Sequence, residues 1–265
     1  MVVTGGSGFL GRHLLTASEA GGWELLAPGS HAIDIRRRDF VMEGIGGWQP
    51  NVVVHLAYRK DDHATIVDGS RHVAEAAAAS GARLIHVSTD MVFAGRLEPY
   101  READRPDAVV DYGRWKAEAE TAVLACVPSA VVLRTSLLYG TEHVSPPQHA
   151  VADTIAGRAA VTFFTDEYRC PAHAGDVADA IVALASTPEV TGPLHVAGPE
   201  LWSRAALAQA FAIAMGYDAA RVPIGPTPAN LLASRPSRLD LDSSLAASLG
   251  IRCRSVREVL RLPTG

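Results

Sequence analysis

The sequence predicts an α/β fold: a doubly wound parallel sheet followed by a smaller C-terminal lobe. Short, β-branched apolar runs alternate with helical patterns through the first half of the chain, the rhythm of parallel strands joined by crossover helices. A glycine-rich turn separates the first apolar run from the first helical stretch. After about residue 140 the rhythm breaks into shorter elements around Pro146-Pro147 and Cys170-Pro171.

Val2-Val3 reads as a strand, Phe9–Ala17 as a helix, and Trp23–Ala27 as a short strand stopped by Pro28-Gly29. The continuous apolar run Asn51–Ala57 suits a strand buried on both faces. Val67–Ser80 is a helix with Gly81 as its stop. Arg83–Ser88 and Ala130–Arg134 are further buried strands, with the helix Tyr112–Leu124 between them. Asp176–Ala185 is a later helix on the sheet, and Gly192–Gly198 a late strand. From Trp202 two helical stretches flank a segment containing Pro223, Pro226 and Pro228. Residues 1–140 are expected to form the nucleotide-binding domain, with a return near 174–198. Residues 141–173 and 199–265 are expected to form the lobe.

The composition sets limits. With 265 residues, 48 % hydrophobic, and a net charge of −5, the chain is neither disordered nor marked by the basic balance of a nucleic-acid binder. No apolar run reaches the roughly 18 residues of a membrane span, and no charged leader precedes Val2, so a cytoplasmic protein is expected. Cys126, Cys170 and Cys253 lie too far apart for a zinc site or a disulfide framework, and no metal is expected. His55, His86 and His195 read as strand residues.

Thr4-Gly5-Gly6-Ser7-Gly8-Phe9-Leu10-Gly11 carries the first chemistry. Between strand and helix, Gly5 permits the turn, Gly8 lets a pyrophosphate approach the backbone, and Gly11 packs the helix closely. The helix N-terminus offers free amides to phosphate. The pattern predicts a Rossmann-type dinucleotide site. Leu56, Ala57 and Tyr58 fall at the carboxyl end of a parallel strand, where ligands sit in such sheets. Tyr112 and Lys116, four residues apart, share one helix face. An ammonium beside a phenol is expected to lower its pKa and suit it for proton transfer at a carbonyl. Ser88-Thr89-Asp90 ends the preceding strand, where a hydroxyl can reach a substrate oxygen.

Together these residues resemble the extended short-chain dehydrogenases/reductases acting on nucleotide sugars, and among them the dTDP-4-dehydrorhamnose reductase family. The resemblance is carried by TGGSGFLG (4–11), HVSTDMVFAG (86–95), YGRWK (112–116), LRTSLLYG (133–140), TDEYRCPAHAGDVADAI (165–181) and PLHVAGPELWSR (193–204). It implies Tyr112 as catalytic acid, Thr89 as catalytic hydroxyl with Ser88 beside it and against the cofactor, and Lys116 holding the nicotinamide ribose. It implies that Gly5, Ser7, Gly8, Phe9, Leu10 and Gly11 form the pyrophosphate loop, that Asp34 and Ile35 lie beside the adenine, and that Asp90, Arg169 and Trp202 face the sugar nucleotide. Met91 stands where the family usually has an aromatic residue, and Asp68 where it usually has Asn.

The implied reaction is reduction of a nucleotide-activated 4-keto-6-deoxy sugar. The alternatives are an epimerase or dehydratase with tightly held NAD, and a non-catalytic dinucleotide-binding subunit. The second strand ends in Pro28-Gly29-Ser30-His31 without a carboxylate, so NADP is expected over NAD; Arg36, Arg37 or Arg38 either meets its 2′-phosphate or belongs to a solvated helix start. A homodimer is the expected assembly.

Overall fold

A computed structural model describes residues 1–262. The first half contains β1 (Val2–Thr4), α1 (Phe9–Ala20), α2 (Arg38–Trp48), β2 (Val52–His55), α3 (Gly69–Ser80), β3 (Arg83–Thr89), α4 (Asp111–Cys126) and β4 (Val131–Thr135). A single π-helical turn, Ala64–Asp68, runs into α3. The second half contains β5 (Leu138–Tyr139), α5 (Pro146–Ile155), β6 (Phe163–Phe164), β7 (Tyr168–Arg169), β8 (Ala172–His173), α6 (Ala174–Ala185) and β9 (Gly192–His195). It ends with β10 (Trp202–Ser203), α7 (Arg204–Ala214), β11 (Ile224–Gly225), β12 (Arg238–Leu239), α8 (Ser244–Ser248) and α9 (Val256–Leu260).

The main sheet has the order β1-β2-β3-β4-β9 and is parallel throughout. Its strands are apolar on both faces because helices cover both. On one side, α1 and α6 pack Leu14, Val177, Ile181 and Leu184 against Ile85 and Leu133. On the other, α2 and α3 bring Val41, Ile45 and Val73 against Val53, Leu84 and Val132. A third core, built on Tyr139, Val151, Phe163, Leu207 and Phe211, holds the lobe. The chain leaves for the lobe after β4, returns as α6 and β9, and leaves again. No helix among the described residues is long and apolar enough to cross a membrane.

Two expectations change here. Trp23–Ala27 forms no full strand; Leu26 alone bridges to Val2. The helix before it runs on to Ala20, and Trp23 N–H bonds back to the Ser18 carbonyl. Too little chain is then left to run along β1. The expected helix after the Pro-rich segment is two separate turns, α8 and α9.

Leu26 lies on one side of β1 and β2 on the other, so the chain reverses its winding direction at β1. A crevice opens at the carboxyl ends of strands where that reversal occurs. Gly11 seats α1 there, since a methyl on it would land on the Gly6 carbonyl. Gly11→Ala is expected to lower stability by about 1–3 kcal/mol through overpacking. Gly46, exposed inside α2 with open space around it, is the contrast: Gly46→Ala is expected to add about 0.5–1 kcal/mol. Urea midpoints of the two variants against the parent check both signs.

Candidate active site

A cleft of about 530 Å³ occupies the crevice between β1 and β2. Gly5, Ser7, Gly8, Ser30, Asp34, Ile35, Leu56, Ala57 and Tyr58 line it, as the sequence suggested, together with Arg36 and His31. Gly5 adopts φ +75°, and a Cβ on it would stand 2.7 Å from the Ala57 amide nitrogen. Only glycine meets both demands. Gly8 caps α1 with extended backbone and no side chain above it, so the amides of Phe9, Leu10 and Gly11 start the helix without intrahelical partners. Phe9, Leu10 and Gly11 stand just behind the cleft rather than in its wall. Bare turn, free amides and positive helix end suit a dinucleotide pyrophosphate.

The three arginines separate. Arg36 reaches the cleft and is clamped on Asp34 by Nε–Oδ1 and Nη2–Oδ2 bonds of 2.9 and 2.8 Å. That pairing holds the Asp34 carboxyl down at about 2. Arg37 lies over the Phe40 ring, 3.9 Å from its centre, and Arg38 pairs with Glu75 at 2.6 Å. Both serve the start of α2, so of the expected phosphate partners Arg36 alone is at the cleft.

Thr89 ends β3. Its hydroxyl donates to Asp90 Oδ1 at 3.1 Å and accepts from the Met91 amide at 3.2 Å. Tyr112 stands in the first turn of α4, with its ring 6.0 Å from that of Tyr58. Helix α4 comes this close because residue 113 is glycine: any Cβ there would strike the Met91 carbonyl. Burial raises the Tyr112 phenol above its ordinary value; Tyr58 and Asp90 add to this, and the Thr89 hydroxyl opposes it. The expected lowering by Lys116 is absent. Lys116 instead donates to the Val87 carbonyl at 2.7 Å and stands 6.0 Å from the Tyr58 ring centre. Its own value falls to about 8 through burial, against the pull of Glu120. Tyr112 therefore keeps its proton at neutral pH. Ser88, expected beside the cofactor, turns its hydroxyl to Glu120.

Next to Thr89 lies a buried charged group that the motifs only partly revealed. Asp90 accepts from Ser136 at 2.6 Å and lies 3.8 Å from Arg169. Burial raises its carboxyl, with Arg169, Ser136 and Thr89 opposing. Arg169 also meets Glu167 at 3.1 Å, and Arg235 meets the same carboxylate at 2.8 Å, with Arg204 4.0 Å away. Met91 offers its sulfur to Arg169 at 3.8 Å. Trp202 pairs with Arg169 through backbone, but its indole donates to Glu200 and lies under Arg257 in the lobe core. The structure does not bring that ring to Asp90. Asp68 pairs with Arg71.

Residues 1–262 match the family model described as the RmlD substrate binding domain. The chain belongs to that family. It is 34% identical to the dTDP-4-dehydrorhamnose reductase of Mycolicibacterium smegmatis, over 98% of this chain and 84% of that one. It is also 31% identical to the methionine adenosyltransferase 2 subunit beta of Bos taurus, over 96% and 84%. Among solved structures it superposes on the Bacillus anthracis dTDP-4-dehydrorhamnose reductase in complex with NADP. That TM-score is 0.88 at 23% identity, covering 98% of this chain and 96% of that one. This RmlD-type chain is thus an extended short-chain dehydrogenase/reductase with a Rossmann fold.

Under the cleft floor, Thr4 Oγ1 meets His55 Nδ1 at 2.6 Å, and His55 Nε2 meets Ser70 at 3.0 Å. The His86 ring lies 5.2 Å from His55, with both its nitrogens unpartnered. Burial, then the Lys116 charge, pushes His55 down to about 3 and His86 well below its ordinary value. Both stay neutral in the fold but take up protons on unfolding below about pH 6.5. Stability is therefore expected to fall as pH drops from 6.5 toward 5, by about 1.4 kcal/mol per pH unit for each histidine. Urea midpoints across that range check it, and His86→Leu is expected to remove about half of this contribution to the slope.

Proposed function

We propose that this protein is an NADP-dependent reductase of a nucleotide-activated 4-keto-6-deoxy sugar. The observation that carries the reading is the position of Tyr112. It is protonated and beside Thr89, with its ring 6.0 Å from that of Tyr58 in the cleft wall and the buried Asp90–Arg169 group next to Thr89. NADPH, when bound, supplies the hydride. The bare turn at Gly5–Gly8 and the first amides of α1 hold its pyrophosphate, Asp34 and Ile35 flank the adenine, and Lys116 takes the nicotinamide ribose. Leu56, Ala57 and Tyr58 close the cleft floor.

The substrate carbonyl is placed between Tyr112 and Thr89. Thr89 turns its hydroxyl from Asp90 to that oxygen and polarises it. Tyr112 delivers the proton as the alkoxide develops, and a phenol kept neutral by burial is the right species for this. Asp90 and Arg169, tied to Ser136 and Glu167, offer a charged acceptor and donor to sugar hydroxyls. Arg204 and Arg235, on the far side of Glu167, bring further positive charge for a diphosphate. Residues 141–173 and 199–262 form the substrate lobe in this reading; residues 263–265 lie outside the described residues. The protein is a cytoplasmic enzyme acting as a homodimer.

The relative that is an adenosyltransferase subunit bears on the alternative without turnover. The presence of Thr89, Tyr112 and Lys116 together favours catalysis. The deciding experiment follows NADPH and NADH oxidation with a dTDP-4-keto-6-deoxyhexose. Tyr112→Phe is expected to lower kcat by at least roughly 100-fold, the scale of a lost general acid. Turnover near that of the parent would remove Tyr112 from this role. Cofactor binding with no turnover on any keto sugar would favour the binding-subunit alternative.

The preference for NADP rests on Ser30 and His31 at the strand end, with no carboxylate of their own, and on Arg36 at the cleft wall. A charge-assisted hydrogen bond contributes about 1.5–3 kcal/mol. Arg36→Ala is therefore expected to raise the KM for NADPH at least about tenfold while changing that for NADH little. Equal changes for the two cofactors would place the phosphate elsewhere.

A further inference from the structure

One turn beyond Lys116, α4 presents Glu120 on the face that carries Tyr112 and Lys116, by the four-residue spacing. Its carboxylate is buried. It accepts from Arg134 Nη2 at 2.8 Å and from Arg134 Nε at 3.1 Å, and it accepts the Ser88 hydroxyl. Ser88 and Arg134 are partners in the β3–β4 register. One carboxylate thus gathers α4, β3 and β4 directly behind Thr89 and Lys116.

We propose that Glu120 is a positioning residue of the reaction: its charge is the counter-charge of Lys116, and its bond to Ser88 holds the end of β3, with Thr89, against α4. This rests on the reading of Lys116 as the ribose-holding group. Two features make Glu120 more than a structural pair with Arg134. Burial works against the Lys116 ammonium, and Glu120 is the charged group that favours it. Arg134 approaches the carboxylate from β4, and its guanidinium is spent on Glu120 and, at 3.5 Å, the Glu102 carbonyl.

The surroundings of Lys116 isolate its titration. From β2 and β3 it is faced by His55, His86 and the Val87 carbonyl; from the loop after β2, by Tyr58; on α4 itself, by Tyr112 and Glu120. Both histidines are neutral above pH 6.5, and Tyr112 is raised above its ordinary value. A 2′-phosphate completes its own titration near pH 6. Of the groups here whose values burial displaces, Lys116 is the one brought between pH 6.5 and 9.

The test is the dissociation constant of NADPH, read by its fluorescence, from pH 6.5 to 9. The parent protein is expected to lose affinity above about pH 8. Glu120→Gln keeps the acceptor for Ser88 and removes the charge. It is expected to bind within threefold of the parent at pH 6.5 and to begin losing affinity at least one pH unit earlier, so that it binds about tenfold more weakly at pH 8. A fall-off at the parent's pH would overturn the proposal. The double variant Glu120→Met with Arg134→Met replaces the buried pair by apolar side chains, an exchange that folds tolerate. It is expected to show the same early fall-off, so the test stands if Glu120→Gln does not fold; a fall-off at the parent's pH would again overturn it. Ser88→Ala keeps both charges and is expected to leave the pH dependence of binding unchanged while lowering kcat; an early fall-off there would assign the effect to packing. A parent protein that binds no NADPH at any pH would instead overturn the cofactor reading, and this inference with it.

Discussion

The approach of α4 to the carbonyl of Met91 governs the geometry of everything around it. A helix normally stands off from a neighbouring backbone by the depth of its side chains; at Gly113 that depth is missing, and the axis moves in. Tyr112 is thereby brought beside Thr89, Lys116 reaches the Val87 carbonyl, and Glu120 reaches Ser88 and Arg134. The three polar side chains of one helix face become three anchor points along β3. Spacing along α4 and spacing along the strand then share one rigid reference.

Burial at this face has opposite consequences for its members. A phenol taken out of water stays neutral, which an acid requires. An ammonium taken out of water tends to lose its proton, which a ribose-holding cation must resist. The protein answers with a carboxylate placed one helical turn away and neutralised on its far side by a guanidinium. The same rule explains the two neutral histidines under the cleft. They are polar groups on strands whose neighbours are almost wholly apolar, and Thr4 and Ser70 supply partners to one of them but not to the other.

Much of this was legible in the chain. The glycine turn, the buried strands around Val53, Ile85 and Val132, and the Tyr112–Lys116 face announce themselves through period and spacing, because each depends on residues close in sequence. The cleft lining at Leu56–Tyr58 followed from its place at a strand end, and that at Asp34 and Ile35 from the family resemblance. What stayed hidden depends on distant pairings. The Glu167 cluster joins residues scattered from position 90 to 235, and the side chain of Trp202 was lost to a lobe core whose partners lie far along the chain. One local signal was passed over: Ser145-Pro146-Pro147-Gln148 is a complete helix start, with Ser145 and Gln148 forming a capping box. The reading of Tyr112 as a phenol acidified by Lys116 failed because side-chain direction on a helix face is set by what the helix packs on, and Lys116 found a carbonyl.

The detour of the chain between β4 and β9 has a consequence for synthesis. β4 is buried along its whole length, and its outer edge pairs with β9. More than fifty residues, most of the way through α5, β6, β7, β8 and α6, must emerge before that partner exists. During that interval a nascent chain with its first four strands in place carries an open, apolar strand edge, a template for pairing with other chains. The order in which the ribosome delivers this sequence thus leaves the sheet unsealed for longer than a strand-by-strand arrangement would, and makes that window the point at which a chaperone would matter most to its yield.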